Sequence, residues 1–365
     1  EKLARATDYD VLITSYPLIR RDAALYSGLS FGILILDEAQ AIKNASTQTA
    51  QAVKSLTSER RFALTGTPIE NNLDELWSIY DAVFPELFAG KSAFSKLSPE
   101  QVARITKPFL LRRMKSDVLK ELPEKIESVQ TTELNKEQKK LYLAYLERIQ
   151  RESMQQIESE GFQKSRMKIL AGLTRLRQLC CHPATFIENY QGGSSKLDRL
   201  IELLQECRES GRRVLVFSQF TSMLSIIREV LDQEEMDYFY LDGQTSGEER
   251  VALADRFNGG EKQIFLISLK AGGTGLNLTG ADTVILYDLW WNPAVEQQAA
   301  DRAHRLGQKN VVHVIRLITQ GTIEEKMFEL QQKKKDLIDQ VVQPGDAALS
   351  SLSEAEIREL LMLRS

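Results

Sequence analysis

Cysteine is nearly absent from this chain. Its three thiols, Cys180, Cys181 and Cys207, are too few and too oddly numbered for a disulfide framework, which points to a reducing compartment. Cys180 and Cys181 stand side by side ahead of His182. Zinc sites space their cysteines in pairs, so the triplet reads as a buried helix end. No apolar run approaches the ~20 residues of a membrane-spanning helix and no signal peptide opens the chain, so no membrane is expected. Basic charge is not in excess either: 47 Lys and Arg face 51 Asp and Glu, for a formal net charge of −4. That balance excludes a uniformly basic coat and leaves room for a local basic groove. The start, Glu1-Lys2-Leu3, has no initiator methionine, and the expectation is a piece of a longer protein. Finally, the phosphate-loop pattern G-x-x-x-x-G-K-[ST] occurs nowhere. Gly90-Lys91-Ser92 is a decoy, because Pro85 occupies the earlier glycine position and no strand precedes it.

What is present describes a globular α/β protein. With 365 residues, 42% hydrophobic and 27% charged, the chain can build two domains and a helical insert. Residues 11–16 (VLITSY) are a short β-branched run, residues 33–36 (ILIL) an apolar one, and residues 61–66 (RFALTG) a third strand candidate. Such runs fit strands buried in a parallel sheet. The second run ends in Asp37 and Glu38, where open α/β folds bind ligands. Acids also suit a helix N-cap. The functional reading gives Asp37 a magnesium ion, through water, and makes Glu38 the base that orients an attacking water. Thr65, Gly66 and Thr67 form a polar turn close to the same strand ends.

Residues 81–190 read as helices, with amphipathic stretches at 137–160 and 167–179. Arg112 and Arg113 cluster near a domain junction, where they could touch phosphate. Residues 191–195 (QGGSS) are the best linker. Strand candidates then recur at 214–217, 238–241, 264–267, 283–287 and 312–317, separated by helical stretches, as in a complete second parallel lobe. Residues 271–275 (AGGTG) follow its third strand and suit close backbone approach to phosphate.

Residues 290–308 read as one helix with both ends marked: Asn292 as N-cap, Pro293 at the first position and Gly307 as a left-handed stop. Val295, Ala299, Ala303 and Leu306 would form its buried stripe. Gln298, Arg302 and Arg305 would share a neighbouring face. Asp301 alone cannot neutralise Arg302, Arg305 and Lys309. An anion from outside fits better, and a triphosphate uses such arginines as fingers.

Seven stretches occur in order: LDEAQAIKN (36–44), LTGTPIEN (64–71), PFLLRR (108–113), VFSQF (216–220), LDGQT (241–245), AGGTGLNL (271–278) and residues 290–308. Over nearly the whole chain this strongly resembles the helicase-like ATPases of the Swi/Snf chromatin-remodeller family, within helicase superfamily 2. The resemblance implies an α/β fold of RecA-like P-loop NTPase lobes. Residues 1–80 would be the C-terminal part of the first lobe, and 81–190 helical protrusions and inter-lobe linker. Residues 191–327 would be the complete second lobe (the helicase C-terminal domain), and 328–365 a brace helix and tail. It further implies ATP and magnesium as cofactors, with double-stranded DNA as partner through its backbone. By its motifs, Asp37 and Glu38 serve magnesium and water. Thr65, Gly66 and Thr67 couple hydrolysis to movement, and Gly275 lies near the nucleotide. Gln298, Arg302 and Arg305 meet the triphosphate. Thr14, Ser15 and Tyr16 contact DNA from the first lobe, and Ser218, Gln219, Lys270 and Gly272 from the second.

The chain departs from that family in three ways. Gln40 stands where many relatives have His, giving a DEAQ box. The insert between Trp77 and Phe109 is short, as in a compact prokaryotic member. The phosphate loop is missing, so its cradle is expected upstream of residue 1; this chain alone should bind ATP poorly, and the first-lobe sheet should show an exposed apolar edge. The leading expectation is an ATP-driven translocase on double-stranded DNA. A strand-separating helicase or a catalytically inactive nucleic-acid-binding module are the alternatives. The expected location is cytoplasmic, nucleoid-associated in a prokaryote or nuclear in a eukaryote.

Overall fold

The computed structural model describes residues 5, 8–65, 73–111, 113, 118–269, 271, 275–341 and 354–361. The chain divides into two units, Glu1–Arg112 with Lys335–Ser351, and Arg113–Lys334 with Leu352–Ser365.

The first unit holds α1 (Tyr16–Arg21), α2 (Ala23–Tyr26), β1 (Ser30–Leu36), α3 (Gln48–Lys54), β2 (Thr57–Ala63), α4 (Leu73–Val83), α5 (Lys91–Phe94) and α6 (Pro99–Thr106). Its sheet has two parallel strands, with Ile35 opposite Phe62 and Leu36 opposite Ala63. The inner face packs Leu34 and Leu36 against Ile42, Ala50, Val53 and Ile79. The outer face leaves Ile33, Ile35 and Phe62 more than half exposed, with Leu64 just beyond the strand. Of residues 11–16, expected as a strand, 11–15 form no strand and pair with neither β1 nor β2, and Tyr16 opens α1. Pro17 in the first turn, whose missing N–H costs a helix nothing there, then starts α1.

The second unit holds β3 (Lys125–Thr132), α7 (Lys136–Glu160), α8 (Phe162–Cys181), α9 (Ser195–Glu209), β4 (Val214–Ser218), α10 (Thr221–Gln233), β5 (Tyr238–Leu241), α11 (Gly247–Asn258), β6 (Ile264–Ser268), β7 (Thr283–Leu286), α12 (Pro293–Ala300), β8 (Val312–Thr319), α13 (Ile323–Val341) as far as Lys334, and α14 (Glu354–Leu361). The six strands run parallel in the order β3-β8-β7-β4-β6-β5. Alternate side chains enter opposite cores, as strand geometry requires. Leu215, Phe217, Phe265, Ile267, Val284 and Val314 meet α11 and α12 on one face. Val214, Val216, Ile264, Leu266, Ile285 and Ile315 meet α9 and α10 on the other. Such two-sided cover is why these strands read as continuous apolar runs. The five strands expected from residue 214 onward all form.

The stretch 81–190, read as helices, also contributes β3, an edge strand. Its sequence, KIESVQTT, is too polar for the buried-strand pattern; five of its eight residues are exposed, and its identity comes from pairing with β8. The expected buried helix end is observed: α8 ends at Cys181, and Cys180, Cys181 and His182 are buried. Burial raises both thiols, Cys180 and Cys181 alike. Beside them Lys196 Nζ meets Glu324 Oε2 at 2.5 Å, both 1% exposed, joining α9 to α13.

Candidate functional site

In the first unit the acidic motif begins as β1 ends. Leu64 N donates to Leu36 O at 2.8 Å and Ala39 N to Leu64 O at 2.9 Å, so the two strand ends are laced together. Between them Glu38 adopts a left-handed backbone, φ 48° and ψ 52°. Its amide donates to Asp37 Oδ1 at 3.0 Å. Gln40 Nε2 donates to Glu38 Oε2 at 2.5 Å, and Thr65 Oγ1 donates to Gln40 Oε1 at 2.7 Å. A line of hydrogen bonds thus runs from the polar turn after β2 to the carboxylate after β1. Gln40, the residue that departs from the family pattern, is its middle member and uses both ends of its amide.

Asp37 and Glu38 are exposed, so both carboxylates are open to a ligand. Among the described residues no three His, Cys, Asp or Glu gather as a metal cage. A magnesium ion carried by a triphosphate needs none, because one or two carboxylates complete a shell of waters and phosphate oxygens. Asp37 and Glu38 fit that requirement.

Tyr16 donates to the Asp37 carbonyl at 2.7 Å. Burial, then the charges of Asp37 and Glu38, push its phenol up to about 12. Thr14 and Ser15 are exposed, with the Thr14 hydroxyl 2.7 Å from Tyr26 OH. The segment 14–16 and the acidic motif are therefore neighbours, which sequence spacing did not show. Gly66 and Thr67 lie outside the described residues.

In the second unit the helix expected through Leu306 stops at Ala300. Its start is as read: Asn292 Oδ1 accepts from Ala294 N at 2.9 Å and Pro293 holds the first position. The stop has a tertiary cause, because the Arg302 carbonyl accepts from Leu278 N at 3.0 Å instead of continuing the helical ladder. Gln298, Arg302 and Arg305 therefore do not share a helix face. Gln298 is half-buried on α12, Arg302 is 8% exposed with Nη1 directed at Leu276 O at 3.5 Å, and Arg305 is exposed. Leu306, expected in the buried stripe, is 70% exposed. Gly307 is left-handed at φ +98° but beyond the helix. Gly275 sits at φ +52°, a conformation that suits glycine, just before the segment that Arg302 grips. The structure thus joins the 275–278 segment to Arg302.

Ser218 and Gln219 differ from the expected picture. Ser218 is 1% exposed and its hydroxyl donates to Asp288. Gln219 Nε2 donates to Asp288 Oδ1 at 2.7 Å. These side chains are engaged inside the unit, so what this turn can offer a ligand is not the Ser218 hydroxyl. Asp288 was missed from sequence, although it follows an apolar strand as Asp37 does. Burial raises its carboxyl, against Arg177 and the two donors. Arg113 is exposed, whereas Arg112, Lys270 and Gly272 lie outside the described residues.

An SNF2-related domain model matches residues 1–185, and a helicase conserved C-terminal domain model matches residues 195–307. A protein named as an uncharacterized ATP-dependent helicase in Mycoplasma pneumoniae is 38% identical over 96% of this chain and 34% of its own length. The mouse SWI/SNF-related matrix-associated actin-dependent regulator of chromatin subfamily A member 1 is 37% identical over 97% of this chain and 36% of its own. Among solved structures, the Sulfolobus solfataricus SWI2/SNF2 ATPase core in complex with dsDNA is 35% identical with a TM-score of 0.55, covering 98% of this chain and 78% of that one. The chain spans 33% to 40% of the length of the curated relatives most similar to it.

Proposed function

This chain belongs to the SNF2-related family of helicase-like ATPases, and we propose that the full protein is a DNA-stimulated ATPase that steps along double-stranded DNA without separating its strands. The observation that carries the reading is the hydrogen-bonded line Thr65–Gln40–Glu38 at the ends of two parallel strands. It gives a nucleotide-sensing turn a direct hold on the group that would activate water. The relative solved with duplex DNA supports the choice of partner.

In this reading Asp37 would hold a magnesium ion, which would offset charge on the triphosphate. Glu38 accepts a proton from the attacking water. Thr65, Gly66 and Thr67 sense the nucleotide. Gly275 lets backbone approach it, and Gln298, Arg302 and Arg305 face the phosphates, where a guanidinium stabilises developing charge. Arg302, pinned through its own backbone, is preorganised for that task, while exposed Arg305 must be ordered by the ligand. DNA backbone contacts fall to Thr14, Ser15, Tyr16, Arg112, Arg113, Lys270 and Gly272. Ser218 and Gln219 shape their turn from within.

The test uses the full-length protein. Duplex DNA should raise ATP turnover, and Glu38→Gln should lower it by about a hundredfold or more, the usual loss with a general base. Duplex binding should survive that substitution, ignore sequence and weaken with salt. Displacement of a triplex-forming strand without unwinding of a forked duplex supports stepping. Unwinding would make the protein a strand-separating helicase, and turnover indifferent to Glu38 would leave a binding module.

A further inference from the structure

In the linker from β7 to α12, each residue from Asp288 to Asn292 contacts a polar or cationic group. Asp288 accepts from Ser218 Oγ and Gln219 Nε2. The Leu289 carbonyl accepts from Gln219 Nε2 at 3.2 Å and from the Arg177 guanidinium. Trp290 N donates to Glu296 Oε1 at 2.8 Å, and its carbonyl accepts from Gln331 Nε2 at 2.6 Å. The Trp291 ring lies 4.8 Å from the Arg177 guanidinium carbon. Asn292 caps α12.

Arg177 is the member that comes from α8, and it is 1% exposed. Taking a guanidinium out of water is costly unless it is paired and hydrogen-bonded. A leucine or methionine would fill the same space without that cost. Here the cation has three uses: a carbonyl to bond, the buried Asp288 charge nearby, and aromatic faces in Trp291 and, at 5.6 Å, Phe220. The planar fork supplies bond and stack together, which an ammonium cannot.

We propose that Arg177 is a positioning residue: by fixing the 288–292 linker from α8, it sets the origin of α12 and so the placement of Gln298 and of the segment leading to Arg302 and Arg305. The placement stands on geometry; its importance for turnover rests on the nucleotide reading above. Arg177 offered a faint signal in the sequence, a cation at helical spacing from Leu173 on the buried side of α8.

Hydrogen–deuterium exchange on the full-length protein, without DNA or ATP, tests it. In Arg177→Lys the amides of 289–298 should exchange about tenfold faster while those of β6 and β8 keep their protection. Arg175→Lys, exposed on the same helix, should change neither. If Arg177→Lys loosens the whole unit, Trp291→Leu, which removes the stack from the other side, should still show the local increase alone. Unchanged exchange over 289–298 in Arg177→Lys, or an increase shared equally by β6 in both variants, overturns the proposal. An unmodified protein that fails to hydrolyse ATP on DNA would sink the functional reading and leave this answer standing.

Discussion

Glu38 occupies a left-handed backbone conformation that costs a non-glycine residue about 1–3 kcal/mol. The lacing of Ala39 to Leu64 over-determines the turn, and its result is a carboxylate within reach of Gln40. A hydrogen bond to a charged group is worth about 1.5–3 kcal/mol, and each 1.4 kcal/mol is about tenfold in rate. Gln40→Ala should therefore slow single-turnover hydrolysis by about ten- to a hundredfold with nucleotide affinity unchanged, and Gln40→His should recover much of it. Equal rates for Gln40→Ala and the unmodified protein would show the line from Thr65 to be idle. The sequence displayed Gln40 as a departure from the family pattern. It could not display the partner, because Thr65 reaches Gln40 through the pairing of two strands, not through proximity along the chain.

At the scale of elements, β3 is docked by charge as well as by its ladder. Glu127 meets Lys125 Nζ at 2.7 Å and Arg316 Nη1 on β8 at 2.8 Å. Burial alone would raise its carboxyl; the Lys125 and Arg316 cations outweigh that and hold it down to about 2, from an ordinary 4.5. A depressed carboxyl contributes stability that is complete above its unfolded value and lost as pH falls through its folded one. The β3 contribution should therefore fade between pH 4.5 and about 2. Glu127→Gln should flatten that part of the acid-unfolding curve, and an unchanged curve would refute the assignment. The same scale explains why 290–308 was misread. Caps and apolar spacing fixed where α12 begins, but its end was decided by Leu278, which takes the Arg302 carbonyl. Local pattern carries no information about a donor from another loop.

At the scale of the whole molecule, the first unit presents Ile33, Ile35 and Phe62 on the outer face of its two-stranded sheet, each more than half exposed. The expectation is an exposed apolar edge; what is observed is apolar exposure on the outer face of the two strands. In the 365-residue chain, Phe62→Ser should lower dye binding and light scattering and move stability by only about 0.5 kcal/mol. Phe217→Ala in the buried second-unit core should cost about 3–5 kcal/mol. A large loss from Phe62→Ser would mean that this face is covered.

The sequence by itself determined the family and the parallel strands of the second unit, because each is written in local order: apolar runs, turns, caps and glycines. Tertiary structure alone decided that Ser218 and Gln219 turn inward to Asp288, that Arg302 is buried while Arg305 stays exposed, and that α8 reaches the start of α12 through Arg177. These depend on which strands pair and which polar groups must find partners once buried, and those conditions exist only after the chain has folded.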